Sequence, residues 1–238
     1  MLIPVENRKP TKRRTSCLLK LLLIPIIALS TSGAGAAIPT VEITYSKSLD
    51  WVCSQVRGPD VEEAWEAELE NLLPRYQQQW QTIGPRLLET TSSMTGKFFP
   101  ESDITAHLTL CNVPSNAFFS IVVNMRHALS SYTADPVPLD YKISVLFHEI
   151  LHQFLNAHRP DSSDLLTAHQ DEDYRVLDHL HLLALEKAVY LQLGLDSELD
   201  NIIEVDGRLP SDAYKKAWSI VNKTPDEYRK YVAEIKGG

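Results

Sequence analysis

"VLFHEILHQFLNAH", residues 145–158, holds three histidines and one glutamate in otherwise apolar surroundings. Two structures suit such a stretch: a packed core helix that happens to carry polar residues, or a helix that holds a metal. His148-Glu149-Ile150-Leu151-His152 has the form H-E-x-x-H. On a helix, positions four apart lie about 40° apart and one turn along. Both imidazoles then reach one ion. Neutral imidazole is a good zinc ligand, and Glu149 flanks the metal as a general base toward metal-activated water. From eight His and 16 Glu in 238 residues, roughly 0.02 such matches arise by chance. Glu149 is the only charge between Lys142 and Arg159. An unpaired carboxylate buried beside two histidines is expensive, and a metal removes that cost.

The helix extends on both sides of the motif. "PLDYKISVLFHEILHQFLNAH" (138–158) is apolar on most of its surface, and Arg159-Pro160 ends it. On these residues the chain resembles the zincin metallopeptidases. That resemblance implies a motif helix packed under a small mixed or antiparallel sheet, with an edge strand that binds substrate. It also implies Zn²⁺, a third protein ligand and an open fourth position.

Four residues compete for the third ligand. His158 stands at the metzincin spacing, H-E-x-x-H-x-x-G-x-x-H, but Leu155 replaces the glycine that lets the chain turn back. The last methionine, Met125, also precedes the motif, whereas metzincins place a methionine turn after it. The later apolar segment "VLDHLHLLALEKAVYLQLG" (176–194) is the better source. His179 and Glu186 are seven apart, so they share a helical stripe to within about 20°. His179 is the first choice, with Glu186 then behind the ligands. The gluzincin-like alternative makes Glu186 the ligand. His181 lies opposite His179 and suits packing or capping. Tyr190, Tyr174 and His127 are weaker candidates to stabilise an oxyanion. Asp178, Asp171, Glu172 and Asp173 are candidates to orient ligand histidines.

Further out, the chain alternates between element types. "VEITYS" (41–46) reads as a strand. Residues 61–90 have helical periodicity, with Pro74 and Pro85 expected to kink or divide the helix. "ITAHLTLCNV" (104–113) and "AFFSIVVNMRHA" (117–128) are β-rich and separated by Pro114, Ser115 and Asn116. They predict an antiparallel pair. Residues 118–125 are then the best strand for substrate to extend, unless that strand is interior. A polar loop (159–173) leads to a helix at 174–193 that stops at Gly194. Short helices near 211–222 and 225–236 close the chain, the last opened by the capping box Thr224-Pro225-Asp226-Glu227. The order predicts an α+β fold with a helical C-terminal half.

At the N-terminus, Arg8, Lys9, Lys12, Arg13 and Arg14 precede the apolar run "LLLIPIIALS" (21–30) and the small residues "TSGAGAA" (31–37). This layout predicts a Sec-type signal peptide over residues 1–36. The mature chain, 37–238, suits one zincin-like domain. Removing six Lys/Arg and one Glu from totals of 23 and 31 leaves 17 basic and 30 acidic residues, a formal charge of −13. That balance argues against nucleic acid and against anionic membranes as partners. Export makes a Cys53–Cys111 disulfide plausible. The expectation is a periplasmic or secreted zinc hydrolase, most simply a peptidase acting on peptide or protein substrates. The rival is a zinc-stabilised envelope binding protein without catalysis, which would have no need of Glu149.

Overall fold

The computed structural model describes residues 38–58 and 60–237. The leader expected over residues 1–36 lies outside them. Strand β1 (Thr40–Tyr45) leads into α1 (Lys47–Arg57) and the long α2 (Glu63–Thr95). Strands β2 (Asp103–Thr109) and β3 (Ile121–Asn124) follow, then a 3₁₀ turn at Arg126–Ala128. The remainder is helical: α3 (Leu139–His158), the short α4 (Asp164–Thr167), α5 (Tyr174–Gln192), α6 (Asp196–Asp206), α7 (Asp212–Val221) and α8 (Glu227–Gly237). The chain is α+β, as its order of elements predicts. Among the described residues no helix is long and apolar enough to cross a membrane.

The strands form one sheet in the order β1-β2-β3, and both pairings are parallel. The antiparallel pair expected from residues 104–128 is not formed, and with it goes the mixed or antiparallel sheet. The turn signal at Pro114-Ser115-Asn116 is nonetheless used. It reverses the chain within the connection, so that Asn116 makes an antiparallel bridge with Val122 on the outer side of β3. β2 itself ends at Thr109, where the Asp50 side chain takes over. One Asp50 oxygen accepts from the Thr109 hydroxyl and from the backbone N–H groups of Leu110 (2.9 Å) and Cys111 (3.0 Å). Cys53 and Cys111 are joined by a disulfide, with Cα atoms 5.9 Å apart. α1 is thereby fixed to the exit of β2.

In β2, Ile104, Ala106 and Leu108 are buried while Asp103 and Thr105 are exposed, the period-2 pattern of a sheet covered on one face. α2 crosses that core as a single helix. Pro74 and Pro85 lie inside it, and of the kink or division expected the division does not occur. Each proline forgoes a backbone hydrogen bond at about 3 kcal/mol. Burial of Leu69, Tyr76, Trp80, Leu87 and Leu88 along the same helix offsets this. Two polar ties add to it: Tyr76 Oη donates to the Lys142 carbonyl at 2.7 Å, and Gln77 Nε2 to the Ile43 carbonyl at 2.9 Å.

α3 is buried from Tyr141 to Leu151 except Val145, and again at Phe154 and Leu155. It lies between β3 on one side and α2, α5 and α6 on the others. α5 is as deeply set, with α7 and α8 packed along it. Two long, mostly apolar helices therefore meet in the interior, and His148 and His152 of α3 face Asp178, His179 and Glu186 of α5.

Candidate metal centre

α3 holds His148 and His152 one turn apart, with ring centroids 5.0 Å from each other. α5 brings His179 to 5.3 Å from the first ring and 5.1 Å from the second. One donor atom from each of His148, His152 and His179 lies within 4.8 Å of the other two. Nitrogens on a single tetrahedral zinc sit about 3.3 Å apart, given bonds near 2.0–2.1 Å. Small side-chain rotations close that difference.

Two of the outer nitrogens are hydrogen-bonded, and the third faces a carboxylate. His179 Nδ1 contacts the Arg175 carbonyl at 2.6 Å. A carbonyl only accepts, so Nδ1 carries the proton and Nε2 keeps its lone pair. That Nε2 is buried and has no hydrogen-bond partner among the described residues. An orphaned acceptor of this kind calls for a ligand, and it faces the other two imidazoles. His148 Nδ1 lies 3.2 Å from Glu186 Oε2, which leaves its Nε2 on the inner side. His152 Nδ1 lies 3.7 Å from Asp178 Oδ2, and Arg159 holds the other Asp178 oxygen at 2.6 Å. Partners behind the ligands fix ring orientation and tautomer in just this way at metal sites.

The electrostatics favour neutral donors. Burial pushes His148 well below its usual pKa, with the His179 charge acting in the same direction. Burial, then His148 and His179, lower His152 to about 3. His179 is lowered too, mainly by burial. Burial raises Glu186 to about 8. Glu149 is raised to about 8, by burial first and by the Glu186 charge second. For Asp178, burial opposes ionisation, but the Arg159 hydrogen bond and the neighbouring imidazoles outweigh it and lower its pKa.

The other sequence candidates lie elsewhere. His158 Nε2 contacts the Phe98 carbonyl at 2.6 Å. His181 Nε2 contacts Glu234 at 2.9 Å. Tyr174 is exposed, and His127 packs edge-on to Tyr132. Tyr190 is buried beside Phe147. Asp173 caps α5 through the Arg175 N–H, and Glu172 pairs with Lys216 at 2.9 Å. β3, expected to receive substrate, has its outer edge taken by the chain. Val122 exchanges both backbone hydrogen bonds with Asn116, the Asn124 N–H meets Ser115 Oγ, and Lys142 Nζ donates to the Asn124 carbonyl.

One residue of the site escapes the sequence reading. Tyr214 of α7 places its hydroxyl 3.4 Å from His148 Nε2, and its ring centroid is 4.6 Å from that of His179. Burial raises its pKa, so the hydroxyl stays protonated. Its only signal in the sequence is a shared stripe with Trp218 and Val221, which reads as packing. No protein-family model, no curated protein and no solved structure matches the chain.

Proposed function

We propose that the chain is a zinc-dependent hydrolase of the zincin type, acting on peptide bonds. The observation that carries this reading is the buried Nε2 of His179, without a hydrogen-bond partner among the described residues and set against His148 and His152. The donor set suits the ion: three neutral imidazoles and, among the described residues, no fourth His, Cys, Asp or Glu in the group. His148, His152 and His179 would hold zinc, and Glu186 and Asp178 would orient two of them.

Zinc, when bound, supplies a positive charge that polarises a carbonyl and lowers the pKa of water. The chain's own residues do the rest. Glu149, raised by burial in the metal-free site, would be shifted back toward its ionised form by the nearby dication and would accept and return the proton. Tyr214 keeps a donor at the site and can hydrogen-bond an oxygen as negative charge develops on it. Because β3 is edged by residues 115–116, substrate reaches the site by another face than the outer edge of that strand. The Cys53–Cys111 disulfide supports a periplasmic or secreted location.

The test is metal analysis of the purified protein, followed by a peptide-library digest. Stoichiometric zinc in the wild type, lost from His179→Ala, and peptide cleavage abolished by chelator are expected. A wild type that takes up no transition metal under any condition sinks the reading.

A further inference from the structure

A helix on a protein surface normally turns its apolar stripe toward the core. α1 does the reverse. Its buried side chains are Asp50 and Cys53, while Trp51, Val52 and Val56 are 64%, 49% and 79% exposed. At 100° per residue, Ser48, Trp51, Val52, Gln55 and Val56 fall within about 140° of the helix surface, so they form one face.

The inward side is fastened by other means. One Asp50 oxygen accepts from the Thr109 hydroxyl and from the Leu110 and Cys111 N–H groups, and the other accepts from Tyr45 Oη at 2.8 Å. The disulfide to Cys111 adds a covalent tie, and Arg57 Nη1 donates to the Asn112 carbonyl at 2.8 Å. A helix held this way needs little apolar contact with the core, and its apolar residues are left for another surface.

Charge and area identify that surface. Between Lys47 and Arg57 the only charged residue is Asp50, which is turned inward with both oxygens occupied. The outward face of α1 is therefore uncharged along its length, with a cation at each end. Three apolar side chains are too few for a stable protein interface, which takes about 800 Å² per partner, since even an aromatic one supplies at most about 150–250 Å². Shallow insertion at a lipid headgroup boundary has no such threshold. It needs an apolar helix face, no buried charge and a tryptophan at interfacial depth. Lys47 and Arg57 have stems long enough to keep their charges among the phosphates. The acidic balance of residues 37–238 selects the lipid, because anionic headgroups would repel the rest of the chain.

We propose that α1 docks on a neutral, zwitterionic lipid surface, lying in the headgroup plane with Trp51, Val52 and Val56 toward the acyl chains. α1 shares no residue with the histidine group, so docking is independent of the metal.

Trp51 is a built-in probe, because Trp80 and Trp218 are buried and Trp65 is partly buried against the core. The test is fluorescence of the full chain titrated with phosphatidylcholine vesicles. A blue shift of the emission and weaker quenching by acrylamide are expected, and both should be absent from Trp51→Phe. Val56→Asp changes an exposed side chain and should lose the shift with an unchanged circular dichroism spectrum. The shift reads Trp51 alone, so attachment to vesicles through the apolar run 21–30 does not imitate it. No shift in the wild type overturns the proposal. So does an equal shift in Val56→Asp, a shift that appears only when anionic lipid is added, or a lipid-free dimer that Val56→Asp dissociates, which would make a second copy the occupant.

Discussion

Glu149 and His179 do different work at the same site, and single substitutions separate them. Glu149→Gln keeps the side chain's size and removes its proton chemistry. It should retain zinc and lose peptide cleavage by about 10²-fold or more, as general-base variants do. His179→Ala removes a donor and should lose zinc. Equal activity of Glu149→Gln and wild type on one substrate would remove the glutamate from the mechanism. The same residues set the pH dependence of the metal-free protein. Burial holds Glu149 and Glu186 near 8 and Asp206 near 7 when folded. In the unfolded chain they titrate near 4, so folding keeps protons bound and stability rises as pH falls from about 8 toward 6. The histidines act in the opposite sense. His148 and His152 are depressed when folded and titrate near 6.5 when unfolded. Below about 6.5 the unfolded chain takes up protons that the folded imidazoles refuse, and that part of the stability is lost. Chelator-treated protein should therefore melt higher at about pH 6.5 than at pH 8, with a thermal scan across pH as the check. A melting temperature that falls steadily from pH 8 to pH 6 contradicts these assignments. Of the site residues, His148, Glu149 and His152 are legible because their spacing is local. His179 is legible only as one of several candidates, since helix periodicity shows shared stripes but not which stripe meets α3. Tyr214 is not legible at all: a tyrosine on an apolar helical face looks the same whether it packs or donates.

Elements were readable where their period is long and strong, as in α2, α3 and α5. The sheet was not. Strand pairing depends on where the chain goes between strands, and the segment 110–120 is directed by contacts distant in sequence: Asp50, Cys53 and the Asn124 side chain, which donates to the Cys111 carbonyl at 3.0 Å and also to that of Val113. No local turn rule sees these. The continuity of α2 has the same origin, since two prolines argue locally for a break and tertiary burial overrides them. Gly84 marks the tightest point. A Cβ there would fall 2.4 Å from Cε2 of Trp80, in a ring that is itself buried. Helix propensity alone favours Gly84→Ala by about 1 kcal/mol. The clash reverses the sign, and the variant should be destabilised by roughly 1–3 kcal/mol in urea titration. A stabilised variant would show that the Trp80 ring moves freely. The disulfide gives a second test at this scale. It closes a loop of sequence separation 58, and replacing both cysteines by alanine should cost about 2–4 kcal/mol. Zinc retention should be unaffected, because the metal-site residues stand on α3 and α5, away from the bridge.

The whole molecule builds its core without the histidines. Tyr76, Phe147, Leu151, Phe154 and Leu183 are fully buried where α2, α3 and α5 meet, while His152 keeps a fifth of its side chain in solvent. The group competent to hold an ion has three members among the described residues, not the four of a closed structural site. The buried Asp206 holds the helices around it, accepting from Tyr141 of α3 and Trp218 of α7, both at 2.8 Å. α7, which carries Tyr214, is thus tied to α3 with or without a metal. Chelation should therefore leave a folded protein. The residues that would hold zinc come from α3 and α5 and assemble only in the native state, so zinc adds stability by mass action, about 4 kcal/mol at a thousandfold excess over Kd. A urea midpoint that falls on chelation with an unchanged m-value and an unchanged far-ultraviolet spectrum is the expected result. The zinc-dependent part of that midpoint should persist in Glu149→Gln and vanish in His179→Ala. Global unfolding on chelation would instead mark the metal as structural, and the non-catalytic binding protein would become the better description of the chain.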